Sequence, residues 1–331
     1  MKRPFVHIAS TGRGIPATLF KNSDFASVGI ETTDEWIVER TGIKQRYVAK
    51  TETATDMAAK ASRCAMERAG VHPGEVDLIV VGTASADRLL PSAAVDLQAA
   101  LGASRAAAFD VGAACSGFIY GSIVAEGMMA ASSYETALVV GVEKLSAITD
   151  WKDRSTCVLF GDGAGAAILK RSKVQQKEKG ILSTYVRSDG TLGDLLCRPS
   201  GGAKRPFSAD VLDDRSQFIR MNGREVFKHA VRSMSDACAR ALDLAKLTGD
   251  DIDLMIPHQA NIRIIESTAK HANIPMEKVF VNVDRYGNTS AASVPIALDE
   301  AIEVGRIKEG STVLLVAFGA GFTWGAMAVR F

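Results

Sequence analysis

Five cysteines and five histidines are spread along the 331 residues, and one of each stands where a strand gives way to a helix. Cys115 lies in Phe109-Asp110-Val111-Gly112-Ala113-Ala114-Cys115-Ser116-Gly117-Phe118, among small residues, after an apolar strand and before an amphipathic helix. A sulfur at a helix N-terminus meets the positive end of the dipole and free N–H groups, which favour the thiolate and lower the thiol pKa. The same N–H groups can donate to a developing oxyanion. This is the setting of a reactive nucleophile. On this context alone a buried structural cysteine is an equal reading. Cys64, Cys157 and Cys238 lack such a setting and read as core, while Cys197 stays undecided.

His258 lies in Met255-Ile256-Pro257-His258-Gln259-Ala260-Asn261, where a strand ends and a helix begins, the place where parallel sheets assemble sites. A lone histidine there is more often structural. Asn288, in Asp284-Arg285-Tyr286-Gly287-Asn288-Thr289-Ser290-Ala291-Ala292-Ser293, reads most simply as a turn former or helix cap. None of the three residues decides alone. Ser10-Thr11-Gly12-Arg13-Gly14 lacks the third glycine of a dinucleotide fingerprint, and Phe160-Gly161-Asp162-Gly163-Ala164-Gly165 lacks the Lys-Ser/Thr pair of a phosphate loop. His7, His72, His229, His258 and His271 are scattered, and no metal spacing such as His-Glu-x-x-His occurs, so no metal is expected.

Short apolar strands and longer helical segments must hold these residues in place. Strands are expected at Asp77–Val81, Ala137–Val140, Ile252–Ile256 and Thr312–Val316. Helices are expected at Thr53–Ala69, Ser116–Ala131, Gly223–Leu247 and Ala260–Ala272. Their alternation favours an α/β layered architecture. The segments Glu75–Ile79 and Asp251–Met255 each follow a long helix, and Val158–Gly163 and Val316–Gly321 each carry a glycine pair between apolar runs. Duplication of one βα unit set accounts for this, with chance likeness of buried strands as the alternative. A duplicated chain would build its site where the halves meet. The polar stretch Arg171–Gly180 marks the join, giving halves 1–173, with Cys115, and 180–331, with His258 and Asn288. A second irregular region, Ser188–Ser216, is longer than most loops and is either functional or holds short elements.

Composition narrows the class. With 39 basic and 38 acidic residues the net charge is +1, unlike a nucleic-acid binder. No secretory leader and no run of 18 apolar residues is visible, so no membrane span is expected. An odd number of spread cysteines without Cys-x-x-Cys argues against a disulfide framework and suits a reducing cytoplasm.

In order and spacing, the segments resemble β-ketoacyl-acyl-carrier-protein synthase III, the initiating condensing enzymes of bacterial-type fatty-acid synthesis. The markers are Thr33-Asp34-Glu35-Trp36-Ile37, Arg40-Thr41-Gly42-Ile43, Ala113-Ala114-Cys115-Ser116-Gly117-Phe118, Phe160-Gly161-Asp162-Gly163-Ala164-Gly165-Ala166-Ala167, His258-Gln259-Ala260-Asn261, Gly287-Asn288-Thr289-Ser290-Ala291-Ala292-Ser293 and Gly319-Ala320-Gly321-Phe322-Thr323-Trp324-Gly325. The resemblance implies a thiolase fold, a duplicated five-layered αβαβα arrangement working as a homodimer. It implies that Cys115 accepts the acyl group of an acyl-CoA. His258 and Asn288 then bind the thioester carbonyl of malonyl-acyl carrier protein and stabilise the enolate left by loss of carbon dioxide. Elongating relatives carry a second histidine where this chain has Asn288. Backbone N–H groups of Cys115 and Ala320 form the second oxyanion site, with Ala320 where many relatives have glycine.

By the same resemblance, CoA adenine is clamped between Trp36 and Arg154, with Arg40 and Thr41 beside the nucleotide and Gly223 and Asn261 along the pantetheine. Arg224 stands where some relatives have asparagine. Lys228, Arg263 and Lys270 would receive the acidic carrier protein. Phe318 and Leu90 would line the acyl pocket. Leu90, in Leu89-Leu90-Pro91-Ser92, replaces a phenylalanine that in some short-chain relatives reaches into the partner subunit; the smaller residue leaves room for a longer or branched acyl group. Arg88 nearby could pair with a carboxylated acyl chain, though a solvent-facing loop charge is the plainer reading. No cofactor is implied beyond the two thioester substrates. The rivals are a paralogue making a secondary metabolite or biotin precursor, a thioester carrier without condensing chemistry, and a Cys-dependent thioester hydrolase.

Overall fold

Four segments of the chain are apolar without alternation, and strands of that kind must be covered on both faces. In the computed structural model, which describes residues 5–172 and 179–331, each of the four is a strand whose every residue is buried. The strands of the two main sheets are β1 (Val6–Gly14), β2 (Leu78–Gly82), β3 (Ala107–Val111), β4 (Thr136–Glu143), β5 (Gly163–Arg171), β6 (Gly180–Ser188), β7 (Leu254–Pro257), β8 (Thr312–Gly319) and β9 (Thr323–Arg330). The principal helices are α1 (Asp34–Thr41), α2 (Ala54–Ala69), α3 (Ala93–Leu101), α4 (Gly117–Ala131), α5 (Gly223–Ala245), α6 (Ile262–His271) and α7 (Ser293–Glu303).

The first sheet has the order β1-β5-β4-β2-β3 and the second β7-β8-β9-β6. Read from the other edge, β6-β9-β8-β7 repeats β1-β5-β4-β2. The pairing senses agree as well: antiparallel, antiparallel, then parallel in both sheets. Helices α2 and α3 cover the outer face of the first sheet, α4 and α7 lie between the sheets, and α5 and α6 cover the second. The result is five layers, αβαβα. Most of the expected join falls on residues 173–178, which lie outside the described residues.

Local signals set the helix ends. Thr53 and Asp56 form a capping box at the start of α2, with Thr53 Oγ1 accepting from the Asp56 N–H at 3.0 Å and Asp56 Oδ2 accepting from the Thr53 N–H at 2.9 Å. Gly70, left-handed at φ 60°, ends the helix. The segment Ala114–Ala131 is long and apolar enough to cross a membrane by length and mean hydropathy, although Ser116, Ser122 and Glu126 interrupt its apolar run. Its packing between two sheets explains that composition. The irregular region Ser188–Ser216 holds short elements: a 3-10 turn at Gly190–Leu195, a two-residue strand at Leu196–Cys197 and a short helix at Ala209–Asp213.

The two sheets are joined by backbone approach and by one buried anion. Asp299 of α7, with no exposure, accepts from Thr11 Oγ1 at 2.8 Å and from the Arg13 and Arg68 guanidiniums. Gly141 in the centre of β4 packs against the chain leading into α7, where an added Cβ would lie 2.1 Å from the Ala291 carbonyl oxygen. Neither backbone can yield cheaply. Gly141→Ala is therefore expected to cost about 1–3 kcal/mol or more, read as a lowered midpoint in urea with an unchanged slope.

Candidate active site

Cys115 sits in a 3-10 turn, Ala114–Ser116, that runs directly into α4. The preceding Ala114 is left-handed, at φ 44°, a strained conformation for a residue with a side chain. Hydrogen bonds hold the elbow in that shape: Ser116 Oγ donates to the Thr323 carbonyl at 3.1 Å, and Thr323 Oγ1 donates to the Ala113 carbonyl at 2.9 Å. The end of β8 closes on it. A Cβ added to Gly319 would lie 2.6 Å from the Cys115 nitrogen, so a glycine there is what lets the Ala320 peptide approach the nucleophile turn.

His258 follows β7 and is buried at 3% exposure. Its N–H donates to the Val316 carbonyl of β8 at 2.7 Å, and its ring Nδ1 lies 2.6 Å from Ser293 Oγ, the first residue of α7. Asn288 is fixed by a different device. Its backbone bridges the 159–161 segment, with N–H donating to Leu159 O at 2.8 Å and its carbonyl accepting from Gly161 at 3.0 Å. Its side-chain Oδ1 accepts from the Ser290 N–H at 2.9 Å, which leaves the amide NH2 as the free end. Ser290 is left-handed too, at φ 47°.

One cavity of about 510 Å³ is lined by Cys115, His258, Asn288, Phe318 and Ala320 at its inner end. Trp36, Arg40, Thr41, Gly223 and Asn261 line it farther out. The cavity therefore unites Cys115 and Asn288, which are 173 positions apart in the chain. Leu196, Cys197 and Arg198 supply another wall, so the irregular region builds part of the site and the undecided Cys197 faces it. Trp36 is flanked by two cations, with the Arg40 and Arg154 guanidinium carbons each 4.6 Å from its ring centre. A purine between Trp36 and Arg154 needs about 7 Å, two van der Waals contacts, so Arg154 has to swing outward to admit one. Thr41 is buried, bonding to Ile37 and Ile43, and Asn261 donates to the Arg40 carbonyl at 2.8 Å while capping α6.

The remaining candidates lie elsewhere. Lys228 is exposed and paired with Glu225 at 2.8 Å, Arg263 donates to the Glu39 carbonyl at 2.8 Å, and Lys270 is exposed on α6. Leu90 is 85% exposed, away from the cavity of its own chain. Arg88 is not free to meet a ligand carboxylate, because it is paired with Asp96, Nε to Oδ2 at 3.0 Å.

The expectation of an acidic thiol needs correction. Burial pushes Cys115 up to about 12, the Glu143 carboxylate adds to the rise, and the Ser290 hydroxyl opposes it. The helix start is present, yet desolvation outweighs it, and the thiol is neutral at pH 7. Burial likewise lowers His258 to about 4, so the imidazole is neutral and donates through one nitrogen. Sequence reasoning missed three residues: Ser293 behind the imidazole, Ser290 beside the thiol, and Glu143, which is wholly buried at the end of β4. A charged residue closing an otherwise apolar strand was the available signal for the last.

Family profiles for 3-oxoacyl-[acyl-carrier-protein] synthase III match residues 109–190, and for its C-terminal region residues 242–331. A β-ketoacyl-[acyl-carrier-protein] synthase III of Methylococcus capsulatus is 49% identical over 328 residues, covering 99% of each chain. The chain belongs to the 3-oxoacyl-[acyl-carrier-protein] synthase III family. A relative with the same name from Natranaerobius thermophilus is 46% identical, covering 98% of both chains. The crystal structure of the Aquifex aeolicus 3-oxoacyl-[acyl-carrier-protein] synthase III superposes with a TM-score of 0.91 at 45% identity, covering 98% of this chain and 100% of that one. The five layers are thus the thiolase fold of this family. Substituting Gly319→Ala must displace the nucleophile turn, and a shift of that size is expected to slow labelling of Cys115 by an acyl thioester about 10- to 100-fold, measured by intact mass at timed intervals.

Proposed function

We propose that this chain catalyses the initiating condensation of fatty-acid synthesis. An acyl group passes from acyl-CoA to Cys115, and malonyl-acyl carrier protein then loses carbon dioxide and attacks it, giving 3-oxoacyl-acyl carrier protein. The observation that carries this reading is one cavity joining a thiol, a neutral imidazole and a carboxamide to an outer end lined by an arginine-flanked tryptophan. Family membership supports the reaction class.

In the first half-reaction, the Cys115 sulfur bonds to the acyl carbon and the CoA thiolate leaves. Backbone N–H groups of Cys115 and Ala320 receive the transient oxyanion. In the second, the malonyl thioester carbonyl accepts from His258 and Asn288. Ser293 Oγ accepts from the Gln259 N–H at 3.4 Å, so its own proton is available to His258 Nδ1, leaving the imidazole proton on Nε2. A neutral ring with a fixed N–H stabilises an enolate without protonating it. The Asn288 amide, held by Ser290, is the second donor. Decarboxylation puts the electron pair on the malonyl α-carbon, which bonds to the acyl carbon and releases Cys115. The two thioesters suffice for this balance without a further cofactor.

Trp36 and Arg154 clamp the adenine, Arg40 and Thr41 lie beside the nucleotide, Gly223 and Asn261 follow the pantetheine, and Lys228, Arg263 and Lys270 receive the carrier protein. Phe318 bounds the acyl group, and the exposure of Leu89 and Leu90, at 81% and 85%, supports a homodimer in which this loop enters the partner's acyl pocket. Five free cysteines suit a reducing cytoplasm. A second reading, priming of a polyketide, is favoured by likeness to a priming β-ketosynthase of the R1128 polyketide pathway, 35% identical with a TM-score of 0.90, covering 99% of this chain and 97% of that one. Acceptor profiling with different carrier proteins separates the two.

Cys115→Ala is expected to abolish acyl transfer from acyl-CoA, and persistent labelling of that variant would remove the nucleophile assignment. His258→Ala and Asn288→Ala are each expected to lose roughly 100- to 1,000-fold in condensation and far less in acylation, followed as separate half-reactions. Trp36→Ala should raise the KM for acyl-CoA about 2- to 30-fold, the worth of one cation–π clamp, with a smaller change in kcat.

A further inference from the structure

The two half-reactions leave one proton without a destination: the one on the Cys115 thiol, which burial keeps in place at pH 7. Beneath the thiol, Glu143 ends β4 with no solvent exposure. It accepts from the Ala84 N–H at 3.1 Å, from the Ser85 hydroxyl and from Ser290 Oγ at 2.9 Å. Ser85 Oγ itself accepts from the Lys144 N–H at 2.8 Å, which commits its proton to Glu143. Each of these partners is a donor and favours the anion, while burial opposes it and lifts the carboxyl to about 7. An anion in such a place is costly unless it is held by donors or put to use.

The charged neighbours do not neutralise it. Lys144, next on the chain, sends its Nζ to the Glu52 carbonyl at 2.7 Å, and Asp162 is tied to Ser146 and Ala49. Among the described residues, the 83–85 and 288–292 segments bring hydroxyl and N–H groups to Glu143, and the titratable group reaching it from the α4 elbow is Cys115. Ser290 is the link. Its proton points at Glu143, which leaves its lone pairs for the Cys115 thiol, with which it shares the cavity wall.

We propose that Glu143 is the proton acceptor of the nucleophile, reached through the Ser290 hydroxyl, and that Cys115 Sγ, Ser290 Oγ and Glu143 Oε1 form one relay. The inference rests on Cys115 being the acyl acceptor. As the sulfur bonds to the acyl carbon, its proton moves to Ser290 Oγ and the Ser290 proton moves to Glu143. The carbon–sulfur bond to CoA breaks, its electron pair stays on the CoA sulfur, and solvent protonates that thiolate. After condensation, the departing Cys115 thiolate takes the proton back from Glu143 through Ser290. His258 is the other base in the cavity, and it is the weaker one. Burial puts it at about 4 and Glu143 at about 7, roughly a thousandfold difference in proton affinity. Glu143 is thus a positioning residue that acts through Ser290, and the carbonyl-binding pair is spared the deprotonation of the thiol.

The test is single-turnover acylation of the full chain by acetyl-CoA and butyryl-CoA, read by intact mass from roughly pH 5.5 to 9. The relay needs the anion, so acylation of the wild type should be fast above, and fall below, a midpoint near the Glu143 value of about 7. Glu143→Gln should slow acylation roughly a hundredfold and remove the acid limb. Glu143→Asp should keep the limb at a shifted midpoint. Ser290→Ala should lose as much as Glu143→Gln, and the double variant no more than the slower single one. Wild-type rates in either single variant, or a loss that is equal at every pH with the limb intact, would overturn the relay. Should Glu143→Gln fail to fold, Ser290→Ala decides by the same criteria. If the wild type takes no acyl group at Cys115, the nucleophile assignment has failed instead.

Discussion

The site exists because backbone meets backbone where the two sheets face each other. Each sheet contributes a central strand with a glycine, and against each glycine packs the helix-entry turn of the other half. Gly141 of β4 receives the turn before α7, and Gly319 of β8 receives the turn before α4. With a side chain at either place the layers would stand farther apart, and Cys115 would no longer share a cavity with Asn288. The positions of all three reactive groups follow from these approaches, since each group sits on, or is bonded to, one of the turns. Asp299 draws the same halves together away from the cavity, by gathering Thr11, Arg13 and Arg68 onto one α7 carboxylate.

The second organising principle is orientation without charge. Burial keeps both the Cys115 thiol and the His258 imidazole neutral, so what each can do depends on where its partner directs its proton. Ser293 directs the imidazole, the Ser290 N–H directs the Asn288 amide, and the Ser290 hydroxyl faces the thiol. Dipoles set before substrate arrives need little rearrangement when negative charge develops, which is the basis of most of the rate gain attributed to such sites.

Much of this was legible in the sequence. The apolar runs within 77–81 and 137–140 read as buried strands, and the glycine pairs in 158–163 and 316–321 pointed to a duplicated unit. The small residues around Cys115 announced a tight turn into a helix. The thiol pKa was misjudged because sequence shows the helix start but not the depth of burial, and burial is the larger effect here. His258 was undecidable locally, since the group that fixes its proton, Ser293, is 35 residues away. Glu143 passed unnoticed because a charged residue at a strand end usually meets water, and only the fold brings the 83–85 and 288–292 segments over it. The 188–216 region had no periodicity to read, as its elements are too short to show one.

Ala114 and Ser290 stand three residues ahead of the first residue of α4 and of α7, and both are left-handed, at φ 44° and 47°. Such a conformation costs about 1–3 kcal/mol for a residue with a side chain. Anyone engineering a hardier version of this protein would find glycine attractive at both places, because it would relieve that cost. The same change would let the elbow visit other shapes, and the sulfur and the carboxamide would lose their fixed bearings. Thermal robustness and turnover are therefore set against each other at these two residues, and the chain as it stands has kept the strain.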